Sequence, residues 1–393
     1  MFDRTSAPDQ GVRVLVLAPL YKPAMMGGGP IRTVHACVKG APPTFNVAVI
    51  AGDRDLGATE RLPMANNRWT TYEGVNCYYL STDRPAKVFS SWRAARNWSP
   101  DVVYINSFFN VQFSIVPQVL GWLGWWRNAQ IVVAPRGEFN RGALAIKAPK
   151  KRAYLRAYKL LNAANRIIWH VSDGTEALAV AAHFAAPIEV VVRENDTNLP
   201  TEPAPPQSGD EGPLRAIFVG RISPIKGVDI LLKALSTASR PVILDIYGPF
   251  EDASYVATCR LMAESVAACV SVHFRGPLDA DDVRQVVSRY DIFLFPTDGE
   301  NFGHVIAEAL SVSCPVMSTS HTPWSQRLAD GGGVVVPSRS PNDWSDAINR
   351  YAELPGPERL RRRDLAGEVY SRWRSEAKGP HVFELVEMRR SSS

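Results

Sequence analysis

At 393 residues the chain is long enough for two domains of ordinary size, each with its own core. Apolar residues make up 46% and charged ones 21%, which excludes a disordered chain. The formal net charge of +5 is a modest excess that favours anionic partners without choosing among nucleotide, lipid surface and nucleic acid.

The chain opens on Met1-Phe2-Asp3-Arg4 and a polar segment with no apolar run, so no signal peptide is read there. A first strand is expected over residues 11–18, then a long loop with Gly27-Gly28-Gly29-Pro30 and a helix from about Ile31. Further strands are expected at 46–50, 75–80, 102–105, 131–134, 167–170 and 188–192, with helical patterns between most of them. Residues 111–126 are apolar but carry Gln112, Pro117 and Gln118, and are short for a membrane span, so they read as a core helix. Lys147, Lys150, Lys151, Arg152, Arg156 and Lys159 alternate with Tyr154, Leu155 and Tyr158 in a basic amphipathic stretch. It is either a face that rests on an anionic membrane or a solvated helix face. No RRM or KH motif accompanies it, so no nucleic-acid partner is expected.

Residues 195–213, with Pro200, Pro203, Pro205 and Pro206, read as a linker between a domain at 1–194 and a second at 214–356. The alternation then repeats, with strands expected at 216–219, 242–247, 270–274, 292–295, 316–318 and 334–336. Residues 357–393 are charged and helical. Near-continuous apolar strands alternating with helices predict an α/β protein with two doubly wound, Rossmann-like parallel sheets. The five cysteines, Cys37, Cys77, Cys259, Cys269 and Cys314, show no paired spacing and read as reduced thiols of a cytosolic protein.

Two loops of the second half carry the chemistry. The first strand there runs into Arg221-Ile222-Ser223-Pro224-Ile225-Lys226-Gly227 and a helical pattern at Val228, Ile230, Leu231, Leu232 and Leu235. Arginine grips phosphate oxygens in a fork while lysine adds a point charge, so this loop suits a diphosphate; the alternative is a pair of solvated surface cations. The strand at 292–295 leads into Glu300-Asn301-Phe302-Gly303-His304-Val305-Ile306-Ala307-Glu308. A glycine at a helix mouth lets a ligand reach free N–H groups, and the helix dipole favours an anion there. With a helix starting near Gly303, Glu308 lies about 7 Å further along the axis, so the two acids can hold different parts of one hydroxyl-rich ligand.

Gly220-Arg221 through Lys226-Gly227, followed by Glu300-x7-Glu308, resembles the retaining glycosyltransferases of family 4, which have two Rossmann domains facing a central cleft, the glycosyltransferase B fold. Tyr247-Gly248-Pro249-Phe250, His273-Phe274-Arg275-Gly276-Pro277-Leu278 and Cys314-Pro315-Val316 agree with it. In the first half, Asn106-Ser107-Phe108-Phe109 and Pro135-Arg136-Gly137-Glu138 resemble a bacterial branch associated with surface polysaccharide synthesis. The resemblance implies transfer from a nucleotide-diphosphate sugar to a glycan or lipid-linked acceptor by a cytoplasmic enzyme, peripheral on the membrane. A sugar-nucleotide epimerase of the same fold is the alternative.

By that pattern Arg221 and Lys226 neutralise the donor diphosphate, Glu300 holds sugar hydroxyls and Glu308 the ribose. Asn301 and Val305 lie along the same donor segment, and the N–H groups of Phe302, Gly303 and His304 reach sugar and phosphate. Gly28 and Gly29 close over the phosphates, and Pro277 and Leu278 lie beside the base. Relatives carry a His where this chain has Arg136 and Glu138; these two either contact a substrate or pair with each other as scaffold. The Asp53-Arg54-Asp55 and Asp279-Ala280-Asp281 triplets could suggest a metal, but no His/Cys cluster is seen in the sequence and neither metal nor cofactor is expected. The C-terminal helices of the resembling fold return to the first domain.

Overall fold

The structure is a computed structural model that describes residues 11–145, 147–161, 163–184, 187–207, 211–250, 252–376 and 379–391. The opening residues, on which the leader reading rests, lie outside the described residues. The chain forms two compact units, one of Met1–Asn198 with Gly379–Ser393 and one of Leu199–Lys378. The division falls inside the Pro-rich stretch 195–213. The C-terminal stretch is shared, since the helix Gly356–Glu376 lies in the second unit and the helix Val382–Ser391 in the first.

The first unit is built on β1 (Val12–Ala18), β2 (Phe45–Gly52), β3 (Trp69–Tyr72), β4 (Val75–Leu80), β5 (Val102–Asn106), β6 (Gln130–Ala134), β7 (Ile168–Val171) and β8 (Glu189–Val192). They lie in the order β3-β4-β2-β1-β5-β6-β7-β8, all parallel except β3 against β4. Both faces are covered. Leu15 and Leu17 pack into a cluster with Phe108, Tyr158 and Trp169 on one side. Val14 and Val16 pack with Val382, Phe383 and Val386 of the C-terminal helix on the other. This two-sided burial is what the unbroken apolar pattern of β1 encodes.

The second unit carries β9 (Leu214–Val219), β10 (Val242–Tyr247), β11 (Val270–Gly276), β12 (Ile292–Phe295), β13 (Val316–Thr319) and β14 (Gly333–Val336), in the parallel order β11-β10-β9-β12-β13-β14. Its order reverses between β9 and β12, as the first reverses between β1 and β5. Such a switch point opens a crevice at the carboxyl ends of the two strands, where ligands of doubly wound sheets bind.

The expectation for residues 111–126 needs correction. They form a π-helical turn, Val111–Ile115, and a short helix, Val116–Trp122, instead of one core helix. Pro117 supplies no N–H and the Asn110 side chain accepts from Phe113 N at 2.9 Å, which favours a tight start. Leu123 is 77% exposed, so much of the apolar run faces solvent. Among the described residues, no helix is long and apolar enough to cross a membrane.

Candidate functional site

The cation-bearing loop follows β9 and the acid-bearing loop follows β12, so the switch point places them side by side. The contact between them is tight. Asp298 N donates to Ile225 O at 2.8 Å, and Arg339 donates to Pro296 O at 3.1 Å and Pro224 O at 2.8 Å. Gly227 has a φ of 73°, and a Cβ there would stand 2.6 Å from Pro296 O, so only glycine allows this approach.

The result is an ion pair across 74 residues of sequence: Lys226 Nζ donates to Glu300 Oε1. The ammonium also lies 5.1 Å from the Phe295 ring centroid. Thr297 Oγ1 lies 3.4 Å from the same carboxylate oxygen. Both partners are mostly screened from solvent, at 14% and 16% exposure, which strengthens their mutual field relative to a surface pair. Arg221 is exposed on the same loop.

Past Glu300, Gly303 caps the helix His304–Leu310 with a φ of 81°. Ile306 N donates to Gly303 O at 2.9 Å and closes the first turn. The turn is fixed from below: Phe302 is buried against Trp324 and Trp373, and Trp324 Nε1 donates to Phe302 O at 2.6 Å. The Phe302 side chain is therefore a foundation of the turn. Glu308 is buried at 7% exposure on this helix. Asn301, His304 and Val305 are part-exposed beside Glu300.

Arg221 is positioned by a second close approach. Gly220 N donates to Tyr247 O at 3.0 Å and Ile222 N to Pro249 O at 3.1 Å. Gly248, with a φ of 151°, passes so near that a Cβ would lie 1.8 Å from Gly220 O. Gly248→Ala is expected to destabilise the second unit by about 3–5 kcal/mol, from backbone strain plus overpacking. Urea unfolding followed by tryptophan fluorescence checks it; a change below 1 kcal/mol contradicts the reading.

Pro277 is exposed and Leu278 half-buried just past β11. Beside them Arg275 pairs with Asp245 at 3.2 Å, and Asp245 also binds His273 at 2.8 Å and Tyr290 at 2.6 Å. Burial opposes the Asp245 charge, but the bonds from Tyr290, His273 and Arg275 outweigh it and hold the carboxyl below its usual range.

In the first unit Gly28 (φ 64°) caps the helix Gly29–Lys39, with Pro30 in its first turn. Asp55 ties the loop down, accepting from Met25 N at 2.8 Å and Met26 N at 3.0 Å. Asp53 pairs with Arg61 at 2.8 Å and accepts from Ser81 at 2.6 Å, so this Asp triplet is engaged in the scaffold.

Arg136 and Glu138 do not pair with each other. Arg136 donates to Asn106 at 2.9 Å, to Tyr104 at 2.6 Å and to Asn195. Glu138 accepts from Ser107 Oγ at 2.8 Å and from the N–H groups of Phe108 at 2.5 Å and Phe109 at 3.1 Å. Glu138 thus braces the loop after β5, while Arg136 ties β5 itself to Asn195. His170 completes the network between Tyr104 and Arg193 O, at 2.7 and 3.1 Å; burial and then the Arg136 charge push its pKa well down, so it is neutral.

Cys37, Asp196 and His381 bring potential ligand atoms within 4.8 Å of one another. Each is already engaged: His381 Nε2 lies 3.9 Å from Cys37 Sγ and 3.0 Å from Cys37 O, and Asp196 pairs with Arg193 at 2.7 Å. The cluster reads as a polar clamp on the returning C-terminal segment.

Nothing in the sequence marked Thr297, or Arg339, whose contacts are to backbone on loops distant in sequence; Asp55 was visible as part of an Asp triplet but not as the anchor of the Gly28 loop.

A family model of glycosyl transferases group 1 matches residues 202–368. The chain is 26% identical over 313 residues to a D-inositol 3-phosphate glycosyltransferase of Mycobacterium sp. (strain JLS), covering 74% of this chain and 68% of that one. Across similar D-inositol 3-phosphate glycosyltransferases the matched stretch spans from 34% to 68% of the relative's own length. Among solved structures it is similar to HepE of Anabaena in complex with UDP and glucose, with a TM-score of 0.69 and 16% identity over 97% of this chain and 100% of that one. It is also similar to sucrose-phosphate synthase of Thermosynechococcus elongatus, with a TM-score of 0.70 and 16% identity over 98% and 100%. The fold is that of the two-Rossmann-domain B-type glycosyltransferases.

Proposed function

Because residues 202–368 match a family model of glycosyl transferases group 1, we propose that the protein is a retaining glycosyltransferase using a UDP- or GDP-linked sugar. One observation carries this reading: the Arg221/Lys226 loop and the Glu300–Glu308 segment meet at the switch point of one sheet. A diphosphate there receives Lys226, Arg221 and the N–H groups at Phe302, Gly303 and His304. Glu300 accepts from the sugar hydroxyls and Glu308 from the ribose. Gly28, Gly29, Pro277 and Leu278 serve the phosphates and the base, as the family pattern implies.

The reaction is written accordingly. The bond from the anomeric carbon to the diphosphate oxygen breaks, and the acceptor oxygen bonds to that carbon on the same face. The acceptor proton passes to the departing phosphate. Charge that grows on the leaving group meets fixed cations and dipoles, which lowers the barrier without a resident metal.

The acceptor is read as a glycan or lipid-linked oligosaccharide of the cell surface, with the enzyme peripheral on the inner membrane face. A small-molecule acceptor is the second reading, favoured by relatives named for D-inositol 3-phosphate. A sugar-nucleotide epimerase of the same fold is the alternative; the Arg221/Lys226 loop together with Glu300-x7-Glu308 favours transfer.

A thermal-shift panel of UDP-, GDP- and dTDP-sugars, paired with a donor-hydrolysis assay, tests the proposal. One nucleotide series is expected to stabilise the protein by about 2–3 kcal/mol at a hundredfold excess over its Kd, and to be slowly hydrolysed. No shift and no hydrolysis with any donor would sink it.

A further inference from the structure

At the amino ends of β1, β5 and β6 the first unit has a cavity of about 230 Å³, on the edge of its sheet opposite the switch-point crevice. That volume lies below the range of about 300–1,000 Å³ typical of drug-sized ligands, so it suits a small molecule. Four arginines line it. Arg13 comes from β1, Arg96 from the helix Pro85–Trp98, Arg127 from the loop before β6 and Arg390 from the last helix, Val382–Ser391. The half-buried Trp125 ring forms one wall.

The charges of the lining do not balance. Among the described residues it has a single carboxylate, Asp101, whose Oδ2 accepts from Arg13 N at 2.9 Å and whose Oδ1 lies 3.7 Å from Arg390. Glu387, outside the cavity, pairs with Arg390 at 3.2 Å. Arg13 donates to Trp98 O at 2.9 Å, a carbonyl at the end of its helix, where a cation is expected. That accounts for two of the four. Arg96 lies 4.8 Å from the Trp125 ring centroid, and among the described residues neither its guanidinium nor that of Arg127 has a hydrogen-bond or ion-pair partner. Arg127 also holds a left-handed backbone, with a φ of 57°, where glycine or asparagine would sit with less strain. Capping the two helix ends does not require these last two guanidiniums, and strain of this kind gathers at ligand sites.

We infer that this cavity binds a small phosphate-bearing anion and that its occupancy pins the last helix. Guanidinium forks meet phosphate oxygens two at a time, and four cations against one carboxylate favour a multiply charged group over a monocarboxylate. The anion meets Arg96 and Arg127 first, because these two have no partner to give up. Arg390 then joins it, which ties the helix Val382–Ser391 to the loop before β6 and to the end of the helix Pro85–Trp98. The size of the cavity disfavours an extended polyanion. The site shares no residue with the proposed donor site, whose Arg221, Lys226 and Glu300 belong to the second unit, so the two readings stand or fall apart.

Calorimetry with pyrophosphate on the full chain carrying Lys226→Ala, which disables the donor loop, tests it. Saturable binding is expected, weakening as salt is raised and far tighter than that of acetate. Adding Arg96→Gln and Arg127→Asn should weaken it by about tenfold to a hundredfold, since two charge-assisted contacts of partly exposed groups are lost. Both substitutions keep a polar side chain, and asparagine tolerates the left-handed backbone. An unchanged thermal melt without anion shows that the variant is folded. Hydrogen exchange in the helix Val382–Ser391 should slow when pyrophosphate is added, and should not in the arginine variant. Unsaturable heats, the mark of an adventitious ion only, overturn the inference. So do undiminished affinity in the arginine variant, equal affinity for acetate, or exchange in the last helix that ignores the anion. If pyrophosphate binds as expected while the wild type hydrolyses no nucleotide sugar, the anion site stands and the transferase reading fails.

Discussion

Lys226→Ala is expected to lower the donor-hydrolysis or transfer rate by about a hundredfold to a thousandfold, the usual loss when a fixed group that meets developing charge is removed. The ammonium sits between the Glu300 carboxylate and the Phe295 ring, mostly screened from solvent. A diphosphate entering the site competes with Glu300 for it. That competition makes the two partners separable. Glu300→Gln removes a negative charge from beside the ammonium while keeping the shape, so free nucleoside diphosphate should bind at least as tightly as to the wild type. Its turnover should nevertheless fall, because the sugar hydroxyls lose a charged acceptor. Lys226→Ala should instead weaken diphosphate binding and turnover together. Calorimetry with UDP or GDP alongside the hydrolysis assay reads both quantities. Full activity in both variants sinks the site assignment, and equal loss of diphosphate affinity in both sinks the separation of roles.

How far the sequence revealed this arrangement depends on the range of each interaction. The strands of both sheets were legible because burial on two faces leaves near-continuous apolar runs such as Val14 to Ala18. The edge strand β3 was not legible: Trp69–Tyr72 is short, only partly buried and paired antiparallel to β4. Apolar content alone misjudged residues 111–126, where Pro117 and the Asn110 cap break the helix and leave Leu123 in water. Gly303 as a helix cap was readable from local pattern. The Lys226–Glu300 pair was not, since it requires β9 and β12 to be neighbours, and that order is a property of the whole sheet. Arg136 and Glu138 stayed open for the same reason. The partners of Glu138 lie about thirty residues upstream on the loop after β5, and those of Arg136 within β5 itself and at Asn195. Asp55 shows the converse: an acid suggestive of metal binding in sequence is, in three dimensions, the anchor of the Gly28 loop.

Phe383→Ala is expected to destabilise the first unit by about 3–5 kcal/mol, the cost of emptying a buried phenyl site. The ring is 1% exposed and meets Tyr104 at 5.6 Å, Phe45 at 5.9 Å and His381 at 4.7 Å. It seals the face of the sheet formed by Val14, Val16 and Tyr104, so the last helix completes a core begun almost 370 residues earlier, at β1. Polar contacts fix the entry of that helix: Arg193 donates to Pro380 O at 2.8 Å, and His381 N to Glu384 at 2.6 Å. For a domain of this size about 1 kcal/mol shifts the melting temperature by 2–4 °C, so a drop on the order of 10 °C is expected. Because the loss is local to the first unit, the melt should split into two transitions, the later one that of the second unit. Hydrogen exchange on β1 and β5 against β9 and β12 separates the two. Uniform loss of protection in both sheets, or no loss in either, contradicts a core of the first unit that depends on its C-terminal helix.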